Sequence, residues 1–403
     1  MHLHDFCLQL GFDQSVESKL ATNWQKLWSH SSDTLPFFMQ KDFYEKYYPL
    51  CKGPDGVIER MAVTAKITAD NPICCRYANM LYYGHFEATP AIPMDYFPLL
   101  ENFYGENAGI FHLLLAMSSL PLIAKTHRRM NLPETFLAPT ATWIGGTISS
   151  YAAAHNNIPG HTLGQTYWLR LHIDGELFRI GRLEYLLGNW LDCLPAVYIK
   201  DKKEIKILCR DNWKYDCNGC RFDSLPEEPA FTARLSVSNG KITGTAIRPD
   251  GTPDHEHVEV LDQSQWHELC APWELIPSIH IPGGGDMSWE SVKSSMLEAR
   301  EFFRKYFNTD VKAFVCNSWI FNPVWQQELP DSNLADFQRH VHLCAAHKSV
   351  YKHGLFFVYG DENCDPRQRQ CTTSLHKVFC KIFDEKKPLP TGAMFILNQE
   401  LDQ

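Results

Sequence analysis

A basic stripe is missing from this 403-residue chain, in which 38 Lys and Arg face 47 Asp and Glu for a net charge of −9. The pI lies near 6.0. Neutralising a phosphate backbone takes clustered cations, so nucleic acid is not an expected partner. The N-terminus, Met1-His2-Leu3-His4-Asp5-Phe6, lacks the basic and apolar stretches of a secretory signal. No uninterrupted apolar run approaches the roughly 20 residues of a bilayer span. The longest, Ile110 to Ala124, contains Ser118, Ser119 and Pro121 and reads as a buried helix, so no membrane partner is expected. Gly (23) and Pro (24) hold ordinary shares, and neither repeats nor low-complexity segments occur, which excludes collagen-like and disordered classes. The 14 cysteines are scattered without an export signal. That usage favours free thiols in a reducing compartment, with the cytoplasm as the expected location.

What is present suits a large globular chain. Apolar residues make up 44%, charged residues 21% and aromatics 13%, and at about 150 residues per domain the length favours two or three domains. From Phe12 to about His155 the pattern is helical, with Leu20, Trp24, Leu27 and Trp28 at helical spacing. Glu101 to Asn107 reads as a loop around Gly105, and His127-Arg128 as a solvated helix end. Asn156-Asn157-Ile158-Pro159-Gly160 gathers helix breakers and marks a domain boundary.

Strand signals dominate from Arg182 to Ile281. Ala196–Ile199 and Ile205–Leu208 flank Asp201-Lys202-Lys203 as a hairpin, and 230–238 and 241–247 flank Asn239-Gly240, a strong hairpin turn signal. A strand over 278–281 leads through glycines into a helix from Ser288 to Phe307, whose buried face is Val292, Met296, Ala299, Phe303 and Tyr306. Glu301 stands four residues before Lys305 for a helical ion pair. A strand over 311–316 follows, and such a crossover makes its flanking strands parallel. Further helices are expected over 323–329, 332–352 and 373–384, with strands over 355–359 and 393–397.

The loop Pro282-Gly283-Gly284-Gly285-Asp286-Met287-Ser288 carries the chemistry, with Ser288 as the helix N-cap. Glycines admit a ligand close to the backbone, and a helix N-terminus favours an anion such as a pyrophosphate. A glycine connection without a ligand has the same sequence. The contiguous glycines do not fit a dinucleotide fingerprint, and Gly285-Asp286-Met287 does not fit a P-loop. Other clusters offer metal chemistry or nothing. Cys217-Asn218-Gly219-Cys220, with Cys209 and Cys270 as irregular partners, reads as a zinc site or a hairpin turn containing thiols. His340, Cys344 and His347 would share a helix face, as ligands or as ordinary core and surface residues. Asp254-His255-Glu256-His257 reads as an exposed hairpin end.

His280-Ile281-Pro282-Gly283-Gly284-Gly285 has the form H-x-x-G-x-G and resembles the Q/R-x-x-G-x-G/A loop of the GNAT acyltransferase superfamily, with the same order of strand, loop, helix and parallel strand. Trp168 to His172 with Gly175 to Tyr185 resembles the opening of the C-terminal domain of bacterial GNAT-like acyltransferases. Ala313 to Trp319 and Ser332 to Gln338 are similar to its later signatures, and the run Gly109-Ile110-Phe111-His112-Leu113-Leu114 is similar to the family's helical N-terminal domain. The implied fold is α+β, an all-helical domain over 1–158 followed by a GNAT-like mixed-sheet domain with flanking helices over 159–403.

The resemblance implies acyl-CoA, in the first instance acetyl-CoA, as co-substrate. Gly283, Gly284, Gly285 and Ser288 would hold its pyrophosphate, and Ile279 and Ile281 would lie along its pantetheine arm. A small-molecule amine would attack the thioester directly, with no metal, and a backbone N–H of the first strand would hold the oxyanion. His280 is the candidate base by its ordinary pKa, or else a hydrogen-bonding residue. Asn317 and Ser318 are candidates for contacting pantetheine or acceptor, and Cys316 reads as a nucleophile or a buried structural thiol. A non-catalytic acyl-CoA or anionic-ligand binder on the same fold is the alternative. The sequence departs from the family in three places: His280 replaces Gln or Arg, no Tyr occurs from Asn317 to Leu343 to act as the acid, and a helix separates the last two strands. Oligomeric state has no signature in the sequence.

Overall fold

The computed structural model describes residues 1–188, 194–201, 204–217, 219–222, 228–269, 276–347, 353–369, 371–387, 389 and 391–402. Its contacts divide the chain into two compact units, Met1–Arg179 with Pro282–Gly284, and Ile180–Ile281 with Gly285–Gln403.

The first unit is helical: α1 (Leu3–Leu10), α2 (Gln14–Ala21), α3 (Trp24–Ser29), α4 (Lys41–Cys51), α5 (Val57–Asp70), α6 (Pro72–Tyr82), α7 (Glu101–Tyr104), α8 (Ala108–Met117), α9 (Leu120–Arg129), α10 (Leu137–Ala154) and α11 (Thr166–Asp174). Every residue of α8 is buried, as an all-round apolar helix must be. Glu101–Arg129 is long and apolar enough to cross a membrane by length and composition alone, yet 78% of its apolar window is buried inside the protein, which is the core position read from the sequence. Pro121 lies in the first turn of α9, where a missing N–H costs nothing. The expected loop at Glu101–Asn107 is instead α7 and a 3-10 turn, held where the buried Tyr104 hydroxyl meets Thr68 Oγ1 at 3.0 Å. His127 is also not solvated. It is 4% exposed against Phe136, whereas Arg128 and Arg129 face solvent.

Strands follow: β1 (Leu177–Ile180), β2 (Leu183–Leu186), β3 (Ala196–Lys200), β4 (Glu204–Leu208), β5 (Lys214–Tyr215), β6 (Arg221–Phe222), β7 (Phe231–Thr232), β8 (Leu235–Ser238), β9 (Lys241–Ile247), β10 (Pro253–Asp262), β11 (His267–Glu268) and β12 (Ser278–His280). Then come α12 (Trp289–Phe307), β13 (Ala313–Ser318), α13 (Val324–Glu328), α14 (Asn333–Arg339), β14 (His342–His347), α15 (His353–Tyr359), α16 (Ser374–Asp384) and β15 (Thr391–Leu397). The hairpins β3–β4 and β8–β9 form as expected, and one sheet runs β10-β9-β4-β3-β11. The larger sheet contains the order β2-β12-β13-β15-β14-β6-β5-β7. Its β12–α12–β13 crossover is parallel, and β15 runs antiparallel between β13 and β14.

Several expectations need correction. Residues 332–352 are not one helix: α14 stops at Arg339, and β14 pairs with β15 through Leu343↔Met394 and Cys344↔Ala393. His340 therefore ends a helix, stacked on Trp289 at 4.4 Å, while Cys344 sits in a strand, so the two share no helix face. The run 355–359 is helical. Leu355, Val358 and Tyr359, at helical spacing, all join one apolar cluster, and this packing overrides their strand propensity. Asp254–His257 open β10 just after the Asp250-Gly251 turn of the β9–β10 hairpin, with His255, Glu256 and His257 exposed, as expected of a hairpin end. Tyr306 is half-buried, Ser295 and Phe302 joining the buried face of α12 in its stead, and Glu301 pairs with Arg304 rather than Lys305. Of the metal candidates, Asn218 and Cys270 and the His347 side chain lie outside the described residues, and Cys209 accepts a bond from the Tyr215 hydroxyl. Among the described residues no group of three His, Cys, Asp or Glu could hold a metal.

Gly392, opposite Ser318 in the β13–β15 pairing, has no room for a side chain. A Cβ there would strike the Phe321 carbonyl and come within 2.8 Å of the Asn322 nitrogen. Overpacking against backbone costs about 1–3 kcal/mol, so Gly392→Ala lowers the urea midpoint at unchanged m-value. An unaltered midpoint would show that the turn yields freely.

Candidate functional site

The pleat of three neighbouring strands decides which side chains meet. The antiparallel register Ile279↔Tyr185 and His280↔Glu184 joins β12 to β2, and Ser278↔Val315 joins β12 to β13. Tyr185, Ile279, Phe314 and Cys316 therefore share the face beneath α12. There Tyr185 packs edge-on to Phe303 and Phe314, and its hydroxyl meets Ser295 Oγ at 2.9 Å. Glu184, His280 and Asn317 project from the opposite face. Glu184 is 2% exposed, His280 half-buried and Asn317 exposed. The sheet thus brings His280 and Asn317 to one side. Ser318 points to the other and accepts from the Ile320 N–H to cap a 3-10 turn.

The parallel ladder is short. Val315 N–H donates to the Pro277 carbonyl at 3.2 Å, and Ser278↔Val315 is the one parallel pair in the register. The next acceptor, the Ile279 carbonyl, takes the Cys316 thiol at 3.0 Å instead. Beyond it, the Ile281 N–H has no hydrogen-bond partner among the described residues, and by the alternation of the strand it faces the side of β13. Cys316 is fully enclosed, and burial raises its pKa far above the ordinary thiol range, so it stays a protonated structural thiol.

Gly283, Gly284 and Gly285 follow β12 as an exposed loop, with φ of 68° at Gly284 and 91° at Gly285. Asp286 accepts from the Ser288 N–H at 2.8 Å and from its hydroxyl at 2.5 Å, and these bonds hold its carboxyl below the usual range. Ser288 in turn accepts from the Ser291 N–H. The α12 N-terminus is therefore served by its own side chains. A cation stands at the loop instead, because Arg182 Nε donates to the Asp286 carbonyl at 2.8 Å and lies beside Gly285.

Burial lowers the His280 pKa, and Glu184 across the pair opposes the shift. The imidazole is consequently neutral at neutral pH and able to accept a proton. Sequence reasoning did not single out Glu184 and Arg182. Both lie within the quoted 175–185 stretch, but only the register across about a hundred residues brings them to the site.

The family model described as GNAT-like C-terminal domain matches residues 177–393. No curated protein matches the sequence significantly. The fold is similar to that of an acyltransferase in complex with decanoyl-CoA and teicoplanin, at TM-score 0.65 and 15% identity, covering 98% of this chain and 99% of that one. An acyltransferase with CoA and 10C-teicoplanin and an acyltransferase mutant with octanoyl-CoA each give TM-score 0.64 at the same identity and coverage. At that identity the likeness speaks for the fold. The family match spans more than half of the chain, and the chain belongs to the family with a GNAT-like C-terminal domain.

Proposed function

We propose that this protein transfers an acyl group from acyl-CoA to a small-molecule amine by direct attack. The observation that carries the reading is the interrupted β12–β13 ladder, which leaves the Ile281 N–H without a partner among the described residues beside the face that bears His280 and Asn317. The glycine loop and Arg182 suit the diphosphate of CoA. Solved relatives of the same fold hold octanoyl- and decanoyl-CoA, which suggests donors beyond acetyl-CoA.

In this reading His280 removes the proton of the incoming ammonium. The amine nitrogen bonds to the thioester carbon, and the Ile281 N–H steadies the oxyanion as a preorganised donor. Collapse breaks the C–S bond, and the second proton of the attacking nitrogen passes through solvent to the departing CoA thiolate, leaving the neutral amide. Asn317, on the same face, positions acceptor or pantetheine amide.

Thermal unfolding with CoA, acetyl-, octanoyl- and decanoyl-CoA, ATP and NAD in parallel tests the donor. A ligand at about 100 times its Kd adds roughly 2.7 kcal/mol to the folded state, so a shift is expected with CoA species alone. Thiol release with an amine panel then distinguishes transfer from binding without turnover. A shift confined to ATP or NAD would overturn the reading.

The loop has its own test. A Cβ on Gly284 meets nothing within 4 Å, and Asp and Asn are the side chains best suited to positive φ. Gly284→Asp is expected to weaken CoA binding about tenfold or more through charge, with the isosteric Gly284→Asn close to wild type. Equal affinities for the two variants would remove the loop from the diphosphate site.

A further inference from the structure

The segment between β14 and β15 carries a pair of thiols that the transfer chemistry leaves unused. Cys380, in the second turn of α16, donates its S–H to Cys371 Sγ across 3.8 Å. Cys371 is exposed and Cys380 half-buried, both as free thiols. The geometry is held from both sides. Thr373 caps α16 by accepting from the His376 N–H at 3.1 Å, and the Thr372 N–H reaches His376 Nδ1 at 3.4 Å. The chain just after Cys371 is thereby fastened to the first turn of α16. Cys380 also touches the Pro366 carbonyl at 3.5 Å. A disulfide requires an S–S distance of about 2.05 Å, so the two sulfurs, 3.8 Å apart, have less than 2 Å to close.

We propose that Cys371 and Cys380 form a reversible disulfide, a modification site driven by a hydroperoxide and reset by a thiol reductant. Cys371 reacts first, because solvent reaches it, while burial raises the pKa of Cys380. The Cys371 sulfur attacks the peroxide O–O bond, an S–O bond forms, and hydroxide leaves. The Cys380 sulfur then attacks the sulfenic sulfur, the S–S bond forms, the S–O bond breaks and water departs with the remaining proton. Two thiols and one hydrogen peroxide give one disulfide and two waters. A dithiol reductant reverses the step by exchange and is itself oxidised to a disulfide.

The bond has a route to the transfer site. Phe379, one residue before Cys380, packs on Trp325 at 5.4 Å and on Trp319 at 6.0 Å. Trp319 directly follows Ser318 at the end of β13. Between these rings lies a cavity bounded by Trp319, Trp325, Gly354, Phe379 and Leu389, so a small movement of Phe379 is accommodated there and passed to Trp319. Oxidation accordingly changes acceptor turnover. This last clause rests on the proposed transferase activity, whereas the disulfide itself does not.

Full-length protein treated with one equivalent of hydrogen peroxide, alkylated and digested with trypsin provides the test. The expected product joins peptides 370–377 and 378–381, disappears on reduction, and is absent from Cys371→Ser. Absence of that product in the wild type, or a bond from either thiol to Cys364 in peptide 353–367, overturns the proposal. Acceptor turnover of the oxidised wild type is expected to change about twofold or more, as ångström-scale shifts near a reacting centre do, and Cys371→Ser is expected to be insensitive to peroxide. The linked peptides with unchanged turnover would overturn the coupling to Trp319. The linked peptides in a protein with no transferase activity in either redox state would overturn the transferase reading and leave the disulfide standing.

Discussion

His280→Asn lowers acceptor turnover by about a hundredfold, within the range for loss of a positioned general base, and leaves CoA affinity near wild type. A hundredfold is about 2.7 kcal/mol of transition-state stabilisation. Asparagine keeps a polar side chain of similar reach on β12 but offers no nitrogen that can take a proton. The glycine loop proposed for the diphosphate follows β12 and is untouched. The pH profile follows from the environment of the imidazole. Burial holds its pKa under the ordinary 6.5, with Glu184 working against that shift. Wild-type kcat/KM is therefore flat through neutral pH and falls on the acid side, as the base is converted to imidazolium. Glu184→Gln removes the carboxylate that raises the His280 pKa, so the acid limb moves to lower pH. Undiminished turnover with weakened CoA binding in His280→Asn would assign the residue to the donor instead.

The parts of this site that the sequence displayed are those set by local rules. Asn239-Gly240 must turn the chain because both residues take positive φ, and three glycines between a strand and a capped helix announce a loop at a helix start. The pairing β12–α12–β13 follows from the handedness of crossovers. What stayed hidden depends on distant partners. Asn317 and Ser318 are equivalent as sequence, yet the pleat turns one toward His280 and the other into a 3-10 turn. Glu184 is one carboxylate among many until β2 lies beside β12. The run Leu355-Phe356-Phe357-Val358-Tyr359 has strand composition, and only the apolar cluster around Trp325 makes a helix the better solution. His342 to His347 looks helical in isolation and becomes a strand because β15 offers it a ladder.

Acid is expected to unfold the helical unit well before it titrates ordinary carboxylates, because histidines are buried there as neutral groups, three of them in one cluster and His127, lowered to about 4 by burial, apart from it. His85, His112 and His161 are 8%, 3% and 0% exposed. Burial is the main cause that lowers their pKa values, to about 3, about 4 and about 3. The charged neighbours that matter are the histidines themselves: His112 opposes a charge on both His85 and His161, and His85 opposes one on His161. Their bonds are to neutral groups, with His161 Nδ1 at 2.7 Å from Thr147 Oγ1 and the His85 ring at 3.4 Å from Thr166 Oγ1. In the unfolded chain each imidazole titrates near 6.5. The folded form binds fewer protons, so its stability is complete above that pH and is lost as the pH falls from about 6.5 toward 4. Each group removes about 1.4 kcal/mol per pH unit in that window, and the three together about 4. At about pH 4.5 the sum is of order 7 kcal/mol, against a typical total of 5–15. Urea unfolding of the full-length protein followed by far-UV circular dichroism, which weights the helices, should show the midpoint dropping steeply from pH 6.5 to 5. His112→Gln removes one titrating group of the four and the one that opposes charge on both His85 and His161, so the slope with pH should flatten by about a quarter or more. A midpoint independent of pH over that range would mean that the three imidazoles reach water or a counter-charge in solution, and burial could then not be what keeps them neutral.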